Sequence, residues 1–276
     1  MSSPVFRPIR PDEVSVLAEI YIDAVKCLGG HAYSPSQVAS WASWPNQKPA
    51  EFLRRATAGH TWVAAYDNCI AAFAEFTPPD HLDFLYTRGR YARRGFATQL
   101  HARLEQIARN SGAAVLRTEA SRLSRPAFTK FGYHVTEVEQ VERFGETFTR
   151  FKMLKRLTLG PPATNPAVSV VRSHLRTLPY APRAAAEEIV QFIEHDANNP
   201  GWFHGVDAAG VDGYFPRDWF LVDETHHRAT ALRDYDAIEL EINPGDPVYP
   251  IATVGPWLQV IKRDGSIGWI PQHCVP

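Results

Sequence analysis

Arginines, glycine and a helix start without acidic residues meet in one stretch, Tyr86 to Thr98, which reads Tyr-Thr-Arg-Gly-Arg-Tyr-Ala-Arg-Arg-Gly-Phe-Ala-Thr. A helix N-terminus offers unpaired backbone N–H groups and a partial positive charge, so it holds phosphate without needing any particular side chain. Gly95 lets a phosphate come close to the main chain, Arg90, Arg93 and Arg94 add charge, and the first acid on the following helix is Glu105. The chemistry that suits this combination is the binding of a polyphosphate. Arginines beside a helix start are also common on solvated edges, so the stretch takes its meaning from the elements that hold it.

Those elements follow from periodicity. Val5 to Ile9 reads as a strand, and Asp12 as the N-cap of a helix with Val14, Leu17, Tyr21 and Val25 on one face. Ser34 and Pro35 form the cap and first turn of a second helix through Gln37, Val38 and Trp41, and Phe52 to Ala58 continues helical. Thr61 to Tyr66 and Cys69 to Thr77 are strands joined by the tight turn Asp67-Asn68. His81 to Thr87 alternates, with Leu82, Phe84 and Tyr86 on one face and Asp83, Leu85 and Thr87 on the other. From Gly95 the period changes to that of a helix, with Phe96, Leu100, Leu104 and Ile107 in one stripe and Gly112 closing it. Val115 to Ser121 is a strand, Ser124 to Phe131 a short helix, and Val135 to Val141 and Thr147 to Leu154 are the final strands. The turn therefore joins the C-end of a strand to the N-end of a helix in a mixed α/β domain.

In that setting Leu85-Tyr86-Thr87 and the turn after it resemble motif A of the GNAT N-acetyltransferases, where a Gln/Arg-x-x-Gly-x-Gly/Ala turn holds the pyrophosphate of acetyl-CoA. Thr118 to Ser121 and Phe128 to Tyr133 resemble the strand and short helix that complete the family's cofactor slot. The likeness runs through residues 4–157, and Tyr33-Ser34-Pro35-Ser36-Gln37 with Trp41 resembles a YafP-type subgroup. The resemblance implies transfer of an acetyl group from acetyl-CoA, with no metal, to a primary amine on a small molecule or a protein. It implies donor contacts at Leu85, Tyr86, Thr87, Ala92, Arg93, Arg94, Gly95, Phe96, Ala97, Thr98 and Phe128. Two positions depart from the family: Ala92 stands where the turn has Gln or Arg, and Phe128 where many relatives have a tyrosine that protonates the departing thiolate.

Acetyl transfer would require an amine with a pKa of about 10.4 to lose a proton, so a base is needed. Glu75, Asp83 and Glu119 are the candidates, and Ser121, Tyr133 and then His134 could return a proton to the thiolate. The oxyanion donor that the resemblance implies is a backbone N–H near Thr87.

After a Pro-rich linker at residues 158–168 the pattern becomes all-β. Trp202 precedes Pro216 by 14 residues and Trp257 precedes Pro271 by 14, each proline with a glycine three before it, Gly213 and Gly268. The repeat suggests two small barrels of roughly 55 residues each. Ala231 to Tyr235, Glu239 to Asp246, Trp257 and Gly268 to Pro271 resemble an SH3 domain, and Gly201 to Trp219 resembles it again, which sets SH3-like domains at 169–224 and 225–276. The resemblance implies a groove at Tyr235, Trp257 and Pro271 for a Pro-rich or basic peptide, with Asp236, Glu239 and Glu241 nearby. Arg233 and Cys274 stand where that groove usually has tyrosines. Packing against the N-terminal half, or forming a homodimer, are the other uses open to this region.

Composition bounds the rest. With 45% hydrophobic, 21% charged and 12% aromatic residues, the 276-residue chain reads as globular rather than disordered, and no apolar run nears the roughly 18 residues of a membrane span. Without a signal-like N-terminus, and with only Cys27, Cys69 and Cys274, the expected compartment is the cytoplasm. Residues 1–157 carry 21 Lys and Arg against 15 Asp and Glu, a charge of +6; residues 158–276 carry 8 against 15, or −7. A pI near 6.8 disfavours a nucleic-acid partner. Two functions from different classes remain: an N-acetyltransferase, or an SH3 adaptor whose acetyl-CoA-binding domain is non-catalytic.

Overall fold

The first helix shows how the sequence builds the N-terminal core. Its apolar residues recur at three- and four-residue spacing, and Leu17, Ile20, Tyr21, Ala24 and Val25 are buried. They pack on Trp44, Phe52, Val63, Phe73 and Phe84. The computed structural model describes residues 3–157, 166–177 and 180–276. It divides the chain into one unit of Met1–His134 with Glu139–Leu157 and another of Val135–Val138 with Thr158–Pro276. Of the expected linker at 158–168, residues 158–165 lie outside the described residues.

The first unit runs β1 (Val5–Pro8), α1 (Val16–Leu28), α2 (Pro35–Ala42), α3 (Trp44–Gln47), α4 (Pro49–Ala56), β2 (His60–Tyr66), β3 (Cys69–Thr77), β4 (His81–Thr87), α5 (Phe96–Asn110), β5 (Val115–Ser121), α6 (Arg125–Lys130), β6 (His134–Arg143) and β7 (Glu146–Arg156). The strands form one sheet in the order β1-β2-β3-β4-β5-β7-β6. Asp67 and Asn68 both take positive φ, as the two-residue hairpin between β2 and β3 requires. Ser34 caps α2 as expected, accepting from the Gln37 N–H while the Gln37 side chain accepts from the Ser34 N–H. Asp12 does not cap α1. It lies in a 3-10 turn, Pro11–Glu13, where Glu13 accepts from the Arg10 N–H and pairs with Arg7 at 2.6 Å, and α1 begins later, at Val16.

One junction in the sheet breaks the antiparallel pattern. β4 and β5 are parallel and share a single recorded bridge, His81 to Arg117, after which the strands part. The buried Thr118 hydroxyl donates to the Leu82 carbonyl at 2.8 Å where a ladder bond is missing.

The second unit is all-β. β8 (Val168–Ser169), β9 (Arg183–Ala184), β10 (Ile189–His195), β11 (Trp202–Val206), β12 (Asp212–Pro216), β13 (Phe220–Asp223), β14 (Arg228–Ala231), β15 (Tyr235–Asp236), β16 (Pro247–Val254), β17 (Trp257–Lys262) and β18 (Ile267–Pro271) make three sheets. These are β12-β11-β10-β14-β13, β18-β17-β16-β8 and β15-β9, and none closes into a barrel among the described residues. The internal repeat is present as hairpin geometry, with Trp202 opposite Pro216 and Trp257 opposite Pro271. β14 pairs with both β10 and β13, so one sheet extends past the expected boundary at 224/225.

Of the residues expected to form a peptide groove, Tyr235 is turned inward. Tyr235 is buried among Phe215, Trp219, Phe220 and Trp269, and its hydroxyl donates to the Tyr214 carbonyl, so its ring faces a core. Asp236 pairs with Arg183 at 3.0 Å, and Glu239 accepts from the Thr177 N–H and lies 2.9 Å from His174 Nε2. Trp257 meets the His174 ring edge-on.

Candidate active site

The end of β4 leads into a turn held by α1. The Arg88 N–H donates to the Ala71 carbonyl, and its guanidinium lies 3.3 Å from Glu19 of α1. The Gly89 N–H donates to Asp23 Oδ2 at 2.7 Å. A side chain at Gly89 would meet Cys27 of α1, its Cβ falling 2.4 Å from that of the cysteine, so this crossing accepts only glycine. Arg93 and Gly95 then take left-handed φ angles of 61° and 83°, and Gly95 is the N-cap of α5. Successive residues in such conformations turn their N–H groups toward one concavity, which favours an anion. Nothing lies within 4 Å of where a Gly95 Cβ would stand, and the first turn of α5 carries no acid.

That turn opens into a cleft of about 680 Å³ in the gap between β4 and β5. Ten of the expected donor contacts line it: Leu85, Tyr86, Thr87, Ala92, Arg93, Gly95, Phe96, Ala97, Thr98 and Phe128. The Phe96 side chain is buried against Phe6, Tyr66 and Tyr91, so what it can offer a ligand is its main chain. Arg94 does not line the cleft. It is exposed, with its guanidinium over the Tyr91 ring at 5.6 Å.

Beyond the donor side the cleft is walled by rings. Tyr33 stands edge-on to Trp41 and against Phe148, with centroids at 5.3 and 5.6 Å, and its hydroxyl accepts from the Arg122 N–H. Trp44 carries the Arg55 guanidinium over its face at 5.3 Å.

Of the five residues expected to move protons, Asp83, Glu119 and Ser121 line this cleft and Glu75 and Tyr133 do not. Glu75 is fully buried inside the sheet, with Oε1 accepting from the Thr77 hydroxyl and Oε2 without a partner among the described residues. Burial pushes its carboxyl up to about 7. A break in register between Glu75 and Phe76 accompanies this inward placement. Tyr133 is buried with its hydroxyl 3.2 Å from His101 Nε2, and burial pushes the phenol well up. His101 is stacked on Phe131 at 4.4 Å, and burial pushes it down to about 4. His134 opens β6 and does not line the cleft. Ser121 Oγ is 3.0 Å from Ser124 Oγ and accepts from the Ser124 N–H.

Two residues that the sequence reading passed over complete the set. Arg55 of α4 donates from Nε and Nη2 to both Asp83 carboxylate oxygens, at 3.0 and 2.5 Å. His81 Nε2 lies 3.1 Å from Glu119 Oε2 and 4.0 Å from Asp83 Oδ1. The bond to Glu119 raises the imidazole above its ordinary value, and the same bond holds the Glu119 carboxyl low. Strand parity carried a signal for His81: residues 81 and 83 share a side of β4, and Arg117 opposite His81 places Glu119 two residues along. Arg55 comes from a separate helix, and no spacing points to it. Among the described residues no group of three or more His, Cys, Asp or Glu side chains is arranged to hold a metal ion.

Residues 31–155 match the family described as the acetyltransferase (GNAT) domain. The chain is 28% identical over 153 residues to the uncharacterized N-acetyltransferase YafP of Escherichia coli (strain K12), a match over 55% of this chain and 96% of that protein. It is 32% identical to a GCN5-related N-acetyltransferase from Rhodopseudomonas palustris, described as aminotransferase, class-II, whose crystal structure superposes with a TM-score of 0.53 over 56% of this chain and 97% of that one. A more distant structure is PaiA N-acetyltransferase from Thermoplasma acidophilum in complex with coenzyme A, at 19% identity and a TM-score of 0.44, over 56% of this chain and 99% of that one. The chain belongs to the GNAT N-acetyltransferase family, and it is an acyltransferase.

Proposed function

We propose that this acyltransferase moves an acetyl group from acetyl-CoA to a primary amine. The observation that carries the reading is the parting of β4 and β5 with the anion-binding turn at its mouth. A pyrophosphate suits the N–H groups from Arg93 to Thr98, and the pantetheine arm suits the gap between the strands. The thioester carbonyl would then lie beside the Thr87 end of β4, where a backbone N–H would stabilise the oxyanion. Tyr133 is turned inward and Phe128 carries no hydroxyl, so neither offers a phenol to the thiolate, which takes its proton from the amine or from water.

Gly95→Ala tests the donor side. It adds a methyl group where a phosphate would approach, in a left-handed conformation that costs roughly 1 to 2 kcal/mol for a residue with a side chain. Calorimetric affinity for acetyl-CoA should fall about tenfold, equivalent to about 1.4 kcal/mol. Unchanged affinity would place the pyrophosphate elsewhere and overturn the reading.

The role of the second unit belongs to the same proposal. With a charge of −7 over residues 158–276, it suits presentation of a basic protein acceptor, and its paired Trp–Pro hairpins support an SH3-like origin.

A further inference from the structure

We propose that Glu119 and His81 act as one proton-accepting dyad: Glu119 touches the acceptor ammonium, and the imidazole behind it stores the proton. This rests on the acetyltransferase reading of the cleft. Each candidate base in the fold has a different fate, and only one keeps a free face. Glu75 is inside the sheet, and both oxygens of Asp83 are engaged by Arg55. Glu119 lines the cleft with Oε2 committed to His81, while Oε1 has no hydrogen-bond partner among the described residues. His81 does not line the cleft and reaches a substrate through a carboxylate in front of it; of the two beside it, Asp83 is held by Arg55 and Glu119 is the one left.

A carboxylate by itself is a weak acceptor for a proton held at a pKa of about 10.4. An imidazolium beside it makes it weaker still, because the charged ring holds the Glu119 carboxyl down. The competent state is therefore the one in which His81 is neutral. The ammonium N–H bond breaks to protonate Glu119, the carboxyl group turns about Cγ–Cδ, and with the neutral imidazole carrying its own proton on Nδ1 the new proton passes to the Nε2 lone pair. Glu119 returns to the charge it began with, and one N–H bond has formed on the imidazole. The amine lone pair then attacks the acetyl carbon. The N–C bond forms and the C–S bond breaks with its electrons on sulfur. The second amine proton goes to the thiolate, and His81 later gives its own proton to water. Glu119 is the catalytic residue here and His81 the positioning residue behind it.

The groups facing this dyad come from every neighbouring element. Asp83 lies on the same strand as His81, Glu119 is on β5, Arg55 on α4, Glu75 on β3, and Arg150 of β7 acts on Glu119. Their joint effect on His81 is upward, with the Glu119 bond the largest cause. The active state should therefore populate as pH rises through a value above the usual imidazole range.

The test is the pH dependence of kcat/KM for the full chain, read as CoA release, with 2-phenylethylamine and its less basic 2,2-difluoro analogue as acceptors. Two acceptors are needed because deprotonation of the amine itself also gives a rising limb. The wild type should show a limb at the same pH with both amines. His81→Gln keeps a hydrogen bond to Glu119 but cannot take the proton, and should lose that limb and at least tenfold in rate at pH 8, with KM for acetyl-CoA unchanged as the sign of an intact fold. Glu119→Gln should lose the same limb. A limb that persists in His81→Gln, or that follows the acceptor's basicity alone, overturns the dyad and leaves the acetyltransferase reading standing. No CoA release from the wild type with either amine or with a lysine-rich protein overturns both.

Discussion

Glu75 has one carboxylate oxygen bonded to Thr77 and the other bonded to nothing among the described residues, in a place without solvent. Its folded value of about 7 lies above the unfolded value of roughly 4.3, so the unfolded state releases the proton first. The stability it permits is full at pH below the unfolded value and is lost as pH rises through about 7. Glu75→Gln removes that dependence. Urea unfolding of the two proteins between pH 5 and 8 should show the wild type losing about 2 kcal/mol relative to the variant. Parallel curves would mean that water reaches Oε2.

The residue scale is also where the sequence was least informative. Glu75, Asp83 and Glu119 are the same chemical group on neighbouring strands. What separates them is a register break beside one, an arginine from α4 against the second and a histidine across the gap from the third. The geometry of the turn before α5 was legible because it is local: left-handed glycine, helix start and flanking strand are consecutive in the chain. Arg94 stands outside the cleft lining, and nothing in a one-dimensional pattern reveals that the Tyr91 ring draws its guanidinium aside.

Among the elements, the gap between β4 and β5 depends on a substitute for a missing ladder bond. The Thr118 hydroxyl satisfies the Leu82 carbonyl in a buried position. Thr118→Val keeps shape and removes the donor, and should cost about 1 to 2 kcal/mol in chemical unfolding. A loss within error would show the carbonyl to be hydrated from the cleft.

Strands β4 and β5 were legible to the residue because alternation and flanking turn residues bound them on both sides. The start of α1 was not, because Pro11 and Glu13 support a competing 3-10 turn that absorbs the cap position. In the second unit the Trp–Pro hairpins were legible as a 14-residue spacing. The pairing of β14 with β10 joins residues about forty apart in sequence, and a motif spacing does not carry that.

For the whole molecule, charge is the property that differs most between the two halves, +6 over residues 1–157 and −7 over 158–276. If the acidic half engages a basic protein acceptor, the rate for that acceptor must fall with salt, since the Debye length shrinks to roughly 10 Å at 0.1 M and roughly 3 Å at 1 M. Acetylation of a lysine-rich protein by the full chain should therefore drop several-fold over that range, while 2-phenylethylamine, which needs only the cleft, changes little. Equal salt dependence for both would remove the second unit from acceptor recognition. No helix among the described residues is long and apolar enough to cross a membrane.

Helix α1 lies against both the cleft and the turn that leads into α5. Tyr21, Ala24, Val25 and Leu28 line the cleft, while Glu19, Asp23 and Cys27 of the same helix hold the chain that becomes the turn before α5. On the proposed reading of the cleft, an acceptor that shifts this helix would also displace the place where the donor's phosphates bind. Such coupling is a single free energy and is reciprocal: whatever factor the bound donor applies to the acceptor's affinity, the acceptor applies to the donor's.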